Sequence, residues 1–187
     1  MIKHFTFPLR FSFAVILSLC CDLVSGQVEC VAHRGASLSA PENTLASTVK
    51  AIELGVDRVE MDVRQSKDGV LVLMHDARLE RTTNGKGYLR DFAYEELLSL
   101  DAGSWFSKSY SGERIPTLAL ILSLLANTPN TAPDLDIKEC DPIRLIDVIG
   151  ASGIMEKHRV ILHCSDEVLR QSIQTQIDLL QLDSLVI

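Results

Sequence analysis

Short β-branched runs alternate along this chain with stretches whose apolar residues recur at helical spacing. That alternation is the signature of repeated βα units built on a parallel sheet. The pattern predicts a first strand over 28–33 and a helix over 40–54, ended by Gly55. Ser39, Ala40, Pro41 and Glu42 read as a capping box with proline in the first turn, so starting a helix accounts for Ser39 and Glu42. A second strand is predicted over 56–63 and a third over 70–74, with Lys67, Asp68 and Gly69 as the turn between them. An irregular excursion follows at 81–87 and 101–116, interrupted by a short helix around 94–100; loops of that length usually serve binding or act as lids. The remaining pattern predicts helices over 117–126, 142–151 and 166–180, strands over 133–138 and 159–163, and a possible sixth strand over 182–187. All strands are expected to be parallel. The fold class expected is therefore α/β, a TIM-type (β/α)8 barrel. Such a barrel takes eight strands and about 250 residues, so it is expected here to be truncated after about five to six strands.

Composition narrows the class. With 187 residues, 47% hydrophobic and 23% charged, the chain suits one ordinary globular domain and not a low-complexity segment. A net charge of −7 argues against nucleic acid as a partner, because phosphate backbones are gripped by clustered Lys and Arg. An acidic protein can still take a small phosphodiester if a metal masks its local carboxylates. Lys3 and Arg10, the apolar run over 11–21 and the small residues Ser25 and Gly26 have the layout of a secretory signal peptide over 1–26. Asp22 cuts the run short of the roughly 20 apolar residues a span requires, so no stable membrane span is expected. The domain would then be 27–187, located outside the cell or in the secretory lumen. Cys20 and Cys21 would leave with the signal. Cys30, Cys140 and Cys164 would form at most one disulfide plus a buried thiol, and their spacing does not suit zinc.

The candidate chemistry sits at predicted strand ends. Glu60 and Asp62 are two apart in a strand, which places both on one face. An isolated pair of that kind more often includes a solvated carboxylate. Here it has company: His33 ends the first strand, His75 ends the third, and Asp136 and Lys138 repeat the same spacing in the fourth. In a parallel barrel all of these fall at the C-terminal rim, where active sites of this architecture lie. Glu60, Asp62 and Asp136 form a hard oxygen set suited to Ca²⁺ or Mg²⁺. His33 and His75 suit general acid and base work near neutral pH. Arg34 and Lys138 supply positive charge for phosphoryl oxygens. Together they read as a site for phosphodiester cleavage.

The motifs Val31-Ala32-His33-Arg34-Gly35, Pro41-Glu42-Asn43-Thr44, Glu60-Met61-Asp62-Val63 and Met74-His75-Asp76 resemble the signature series of the glycerophosphodiester phosphodiesterases. The likeness continues through 81–87, Leu100-Asp101-Ala102-Gly103-Ser104-Trp105-Phe106 and Ile115-Pro116-Thr117-Leu118, an inserted segment after the third strand. The resemblance implies a TIM barrel, a divalent metal at Glu60, Asp62 and Asp136, acid and base roles for His33 and His75, and substrate contacts from Arg34 and Lys138. It implies hydrolysis of a glycerophosphodiester with water to glycerol 3-phosphate and an alcohol, and a glycerophosphodiester or lysophospholipid as the small-molecule partner. Asp136 stands where the family usually has Glu, and His163-Cys164-Ser165-Asp166 stands where it commonly has Ser-Phe.

Two other readings are open on the sequence. One is a non-catalytic secreted remnant whose unclosed sheet exposes an apolar edge and an apolar inner face, inviting aggregation or a covering partner. The other is a sphingomyelinase D-like phospholipase, which shares the barrel and the use of two histidines. Trp105 and Phe106 are expected to pack the insertion, and His158 and His163 have no evident partners.

Overall fold

The structure, a computed structural model, describes residues 28–187. The signal peptide read over 1–26 lies outside the described residues. Six strands form one sheet: β1 (Val31–Ala32), β2 (Arg58–Gln65), β3 (Leu71–Leu73), β4 (Ala132–Glu139), β5 (Val160–His163) and β6 (Leu185–Val186). Their order is β1-β2-β4-β5-β6, all parallel, while β3 pairs with β2 antiparallel. The helices are α1 (Leu45–Glu53), α2 (Tyr94–Leu97), α3 (Leu118–Ala126), α4 (Pro142–Ala151) and α5 (Glu167–Leu180). This is a partial (β/α) barrel wall.

The antiparallel β3 corrects the all-parallel expectation, and the reason is the length of its connection. A parallel neighbour needs a crossover of a dozen or more residues, whereas Ser66–Val70 closes as a tight turn in which Ser66 N and Val70 O bond at 2.9 Å. The chain therefore doubles back along the C-terminal end of β2, pairing Val63 with Leu73 and Gln65 with Leu71. His75 follows a hairpin and does not end a parallel strand.

Helix α1 also begins later than its pattern suggests. Asn43 adopts a left-handed backbone (φ 56°), which interrupts any helix running through it. Thr44 then caps α1 by accepting from Ser47 N, and Ser47 Oγ accepts from Thr44 N, so the capping box runs from Thr44 to Ser47. Ser39 and Glu42 have no part in it.

Alternation along the strands divides the wall into two unlike faces. Val59, Met61, Val63, Leu135, Ile137 and Leu162 join a buried core with Leu118, Ile121, Leu122 and Leu125 of α3, Leu145 and Ile149 of α4, and Ile173 of α5. The α3 positions follow the spacing of a core-facing helix stripe. The opposite face carries Arg58, Glu60, Asp62 and Arg64 from β2, Asp134, Asp136 and Lys138 from β4, and His163 from β5. Register sets them in rows: Glu60 lies beside Asp134, and Asp62 beside Asp136, which lies beside His163. An apolar inner face was expected of an unclosed sheet; along β2 and β4 it is charged, and apolar residues share it only toward the edges, at Val31 beside Arg58 and at Ile161 and Val186.

The insertion after β3 has its own small core of Val72, Met74, Leu79, Leu89, Leu97, Ala102 and Ile115. Trp105 and Phe106 pack edge to face at 5.8 Å, and Phe106 meets Tyr110 at 5.7 Å, making an aromatic chain beside that core. Among the described residues no helix is long and apolar enough to cross a membrane.

Candidate active site

The rim of the wall is assembled from the turn after β1, the end of β2, the hairpin and the end of β4. Arg34 (φ 56°) and Gly35 (φ 77°) are both left-handed, which swings the chain over the top of β2. Arg34 N donates to Glu60 Oε2 at 2.7 Å, and Gly35 N approaches both Ala32 O and Glu60 O at 3.2 Å. A Cβ on Gly35 would stand 2.4 Å from Ser47 Oγ, so α1 is packed directly on this turn.

Glu60, Asp62 and Asp136 each offer an oxygen, all within 4.8 Å of one another. Three carboxylates in so small a space call for a cation, and their all-oxygen character fits a hard divalent metal. Lys138 shows the same demand: its ammonium bridges Asp62 Oδ1 at 3.1 Å and Asp136 Oδ2. Burial works to lower the Lys138 pKa, but the bonds to Asp136 and Asp62 outweigh it and hold the group above its ordinary value. Burial pushes the Glu60 carboxyl up, against the Arg34 backbone N–H that favours its charged form.

Asp62 is the most enclosed of the three, 1% exposed. Its Oδ2 receives Asn43 Nδ2 at 2.7 Å and faces Arg34 Nε at 3.3 Å, and its own N–H donates to Asn43 Oδ1 at 3.1 Å. The left-handed turn at Asn43 thus serves to place this amide. His33 Nε2 stands 3.9 Å from Glu60 Oε2 with most of its ring exposed.

His75 does not touch the carboxylates. Its backbone is fixed by Arg64, whose Nε and Nη2 donate to His75 O at 2.9 and 2.8 Å, while Met74 N donates to Asp62 O at 3.0 Å. Its Nδ1 lies 2.6 Å from Asp76 Oδ1. Asp76 is gripped by Arg81, Arg81 also grips Glu42, and Glu42 Oε1 accepts from Arg34 Nη1 at 3.0 Å. Of the seven sequence-derived candidates, Arg34, Glu60, Asp62, Asp136 and Lys138 interlock, His33 stands beside Glu60, and His75 joins through this chain of ions. The sequence reading missed Asn43, Arg64, Asp76 and Arg81 as working residues, and took Glu42 for a helix starter. Arg81 and Glu42 are 39 positions apart, so no local spacing reveals them.

His163 acquires a partner after all: its Nε2 is 2.8 Å from Asp134 Oδ1, on the inner wall one row below the carboxylates. Burial holds the Asp134 carboxyl above its ordinary value. Cys30, Cys140 and Cys164 are all free thiols. Burial, helped by the nearby Cys164, pushes the Cys140 thiol up to about 12, which keeps it unreactive.

The Glu42 and Asp76 carboxyls carry a pH prediction. Burial alone would raise Glu42, but Arg81 and then Arg34 hold it below its ordinary value; Arg81 holds Asp76 well below the usual carboxylate range. Carboxyls depressed in the fold stabilise it above their unfolded pKa and lose that contribution as pH falls through the folded one. Thermal melts should therefore show stability declining below about pH 4, and Arg81→Met should flatten that decline. An identical acid limb in the variant would show that these pairs contribute nothing.

The sequence model described as "Glycerophosphoryl diester phosphodiesterase family" matches residues 33–145. A glycerophosphodiester phosphodiesterase of Caldanaerobacter subterraneus subsp. tengcongensis is 50% identical over 97 residues, covering 52% of this chain and 40% of that protein. Among solved structures, a glycerophosphodiester phosphodiesterase from Agrobacterium tumefaciens superposes with a TM-score of 0.76 at 35% identity, covering 81% of this chain and 64% of that one. An Oleispira antarctica phosphodiesterase, solved with its product sn-glycerol-3-phosphate, gives 0.72 at 29%, covering 82% of this chain and 72% of that one. The chain spans about two fifths of the length of the curated relatives it matches. Residues 33–145 hold every one of the seven candidates together with the ion chain that joins them, and the chain belongs to the glycerophosphoryl diester phosphodiesterase family.

Proposed function

We propose that this chain hydrolyses glycerophosphodiesters to glycerol 3-phosphate and an alcohol, and lysophospholipids by the same cleavage to an acylated glycerol 3-phosphate and an alcohol. The observation that carries the reading is the meeting of three carboxylates, two cationic side chains and a histidine at one rim, with a second histidine tied in by hydrogen-bonded ions. Glu60, Asp62 and Asp136 would hold Ca²⁺ or Mg²⁺, which when bound supplies positive charge against the phosphoryl oxygens. Arg34 and Lys138 bind and orient the same group from either side of Asp62. His33 and His75 divide the proton work: one accepts a proton from the attacking water as its oxygen bonds to phosphorus, and the other gives a proton to the alcohol oxygen as its bond to phosphorus breaks. Asp76 on Nδ1 leaves Nε2 of His75 as the nitrogen that exchanges its proton. Residues 1–26 belong to the proposal as a secretory leader, with the domain at 27–187 acting outside the cell or in the secretory lumen.

The test is glycerol 3-phosphate release from glycerophosphocholine by the purified chain, with Ca²⁺, with Mg²⁺ and with EDTA. Release that chelation removes and either ion restores supports the reading, and the restoring ion should also raise the melting temperature because it binds only the folded carboxylate set. A folded, soluble preparation that binds metal yet releases nothing would sink the activity and leave the non-catalytic reading in place.

A further inference from the structure

We propose that Arg81 is a positioning residue that sets the two sides of the active site together, orienting His75 through Asp76 and Arg34 through Glu42. The inference rests on the hydrolase reading above but is argued from the side-chain geometry alone.

One guanidinium here satisfies two carboxylates. Arg81 Nε donates to Asp76 Oδ2 at 2.6 Å and Nη2 to Asp76 Oδ1 at 3.1 Å; Nη1 donates to Glu42 Oε2 and Nη2 to Glu42 Oε1, both at 2.8 Å. Two fork-like grips use the planar geometry that distinguishes arginine from lysine. Beyond the carboxylates lie the working groups. The Asp76 oxygen that meets His75 Nδ1 also meets Arg81, and the Glu42 oxygen that accepts from Arg34 accepts from Arg81 as well. His75 follows the hairpin and Arg34 follows β1; Arg81 and its carboxylates bridge these two loops.

The sequence of charges explains what each link does. Asp76 kept as a carboxylate fixes the proton of His75 on Nδ1 and so fixes which nitrogen meets substrate. Glu42 shared between two arginines cannot draw Arg34 wholly away from Asp62. Without Arg81, Asp76 is free to turn to water, and Glu42 closes on Arg34 alone. Arg81 is 43% exposed on its side chain, so its ion pairs add only a modest share of global stability, the share that the acid limb of the melts reads. Its effect should therefore fall on catalysis.

The experiment compares the full-length chain with Arg81→Met and Arg81→Lys, metal-loaded, by steady-state kinetics and by ¹⁵N NMR of the imidazoles, with the His75 signals assigned by their loss in His75→Gln. Arg81→Met should lower kcat about 10- to 100-fold, as loss of an orienting partner typically does, and should convert His75 from a single Nδ1–H tautomer to a mixture at alkaline pH. Arg81→Lys should recover only part of both, because an ammonium cannot grip both carboxylates in two forks. An unchanged tautomer together with an unchanged kcat in Arg81→Met would overturn the inference. If the unsubstituted chain releases no product, the hydrolase reading fails by itself, and the tautomer measurement still decides the role of Arg81. Should the methionine variant fail to fold, the lysine variant carries the same two readouts.

Discussion

His75→Ala should reduce kcat for glycerophosphocholine by about 10² to 10⁴, the range for losing a positioned general acid or base, with kcat/KM falling in proportion. The two constants move together because proton transfer is an interaction made only in the transition state. His75 makes no contact with the carboxylates that would hold the metal, and its backbone is held by Arg64 independently of its ring. The alanine variant should thus bind metal and melt like the parent chain. His33→Ala should show a similar loss, while Arg34→Ala and Lys138→Ala should raise KM as well if, as proposed, both side chains grip the bound phosphoryl group. Steady-state kinetics beside metal-dependent melting separates these cases. A His75→Ala chain within threefold of the parent's kcat would remove this histidine from the chemistry.

The largest effect on stability is expected at Gly35. Alanine there meets two penalties at once. A residue with a Cβ in the left-handed region costs roughly 1–2 kcal/mol, and forced overpacking costs typically about 1–3 kcal/mol. The contact is a severe one: the new Cβ would lie 2.4 Å from Ser47 Oγ and 2.8 Å from Ser47 backbone carbon, which belongs to the first turn of α1 and has little freedom to move. A loss of about 2–5 kcal/mol is expected on adding the two, read as a lower urea midpoint at unchanged m-value. The same turn carries Arg34 N to Glu60, so surviving protein should also bind metal less tightly. Gly55, also left-handed but with open space around its Cβ position, is the control: Gly55→Ala should incur only the backbone penalty.

How far the sequence foretold this arrangement depended on whether the deciding force was local. Helix α4 spans Pro142–Ala151 as its apolar spacing and its proline indicate, with Asp141 as cap. The E-x-D and D-x-K pairs fall on one strand face because strand periodicity leaves no choice, and register alone then sets Asp62 beside Asp136. The direction of β3 was within reach as well, since the Lys67-Asp68-Gly69 turn is incompatible with a crossover; the alternation of strand and helix elsewhere hid it. Glu42 was read as a local helix-starting signal and Asn43 was placed inside the helix predicted over 40–54, yet their partners Arg81 and Asp62 lie 39 and 19 positions away. His163 was illegible for the same reason: its contact with Asp134 runs between neighbouring strands and is set by tertiary register.

The split between the two faces of the wall bears on the order in which the fold can assemble. The apolar core lies wholly between sheet and helices and is complete without anything on the concave side. Collapse of each βα unit onto its neighbour can then proceed while that side is still open to water, because what β2 and β4 present there is paired charge and not a second apolar core awaiting closure. The rim carboxylates and their counter-ions would in this way act as a polar lining during folding, protecting an intermediate that an oil-filled barrel would leave prone to association.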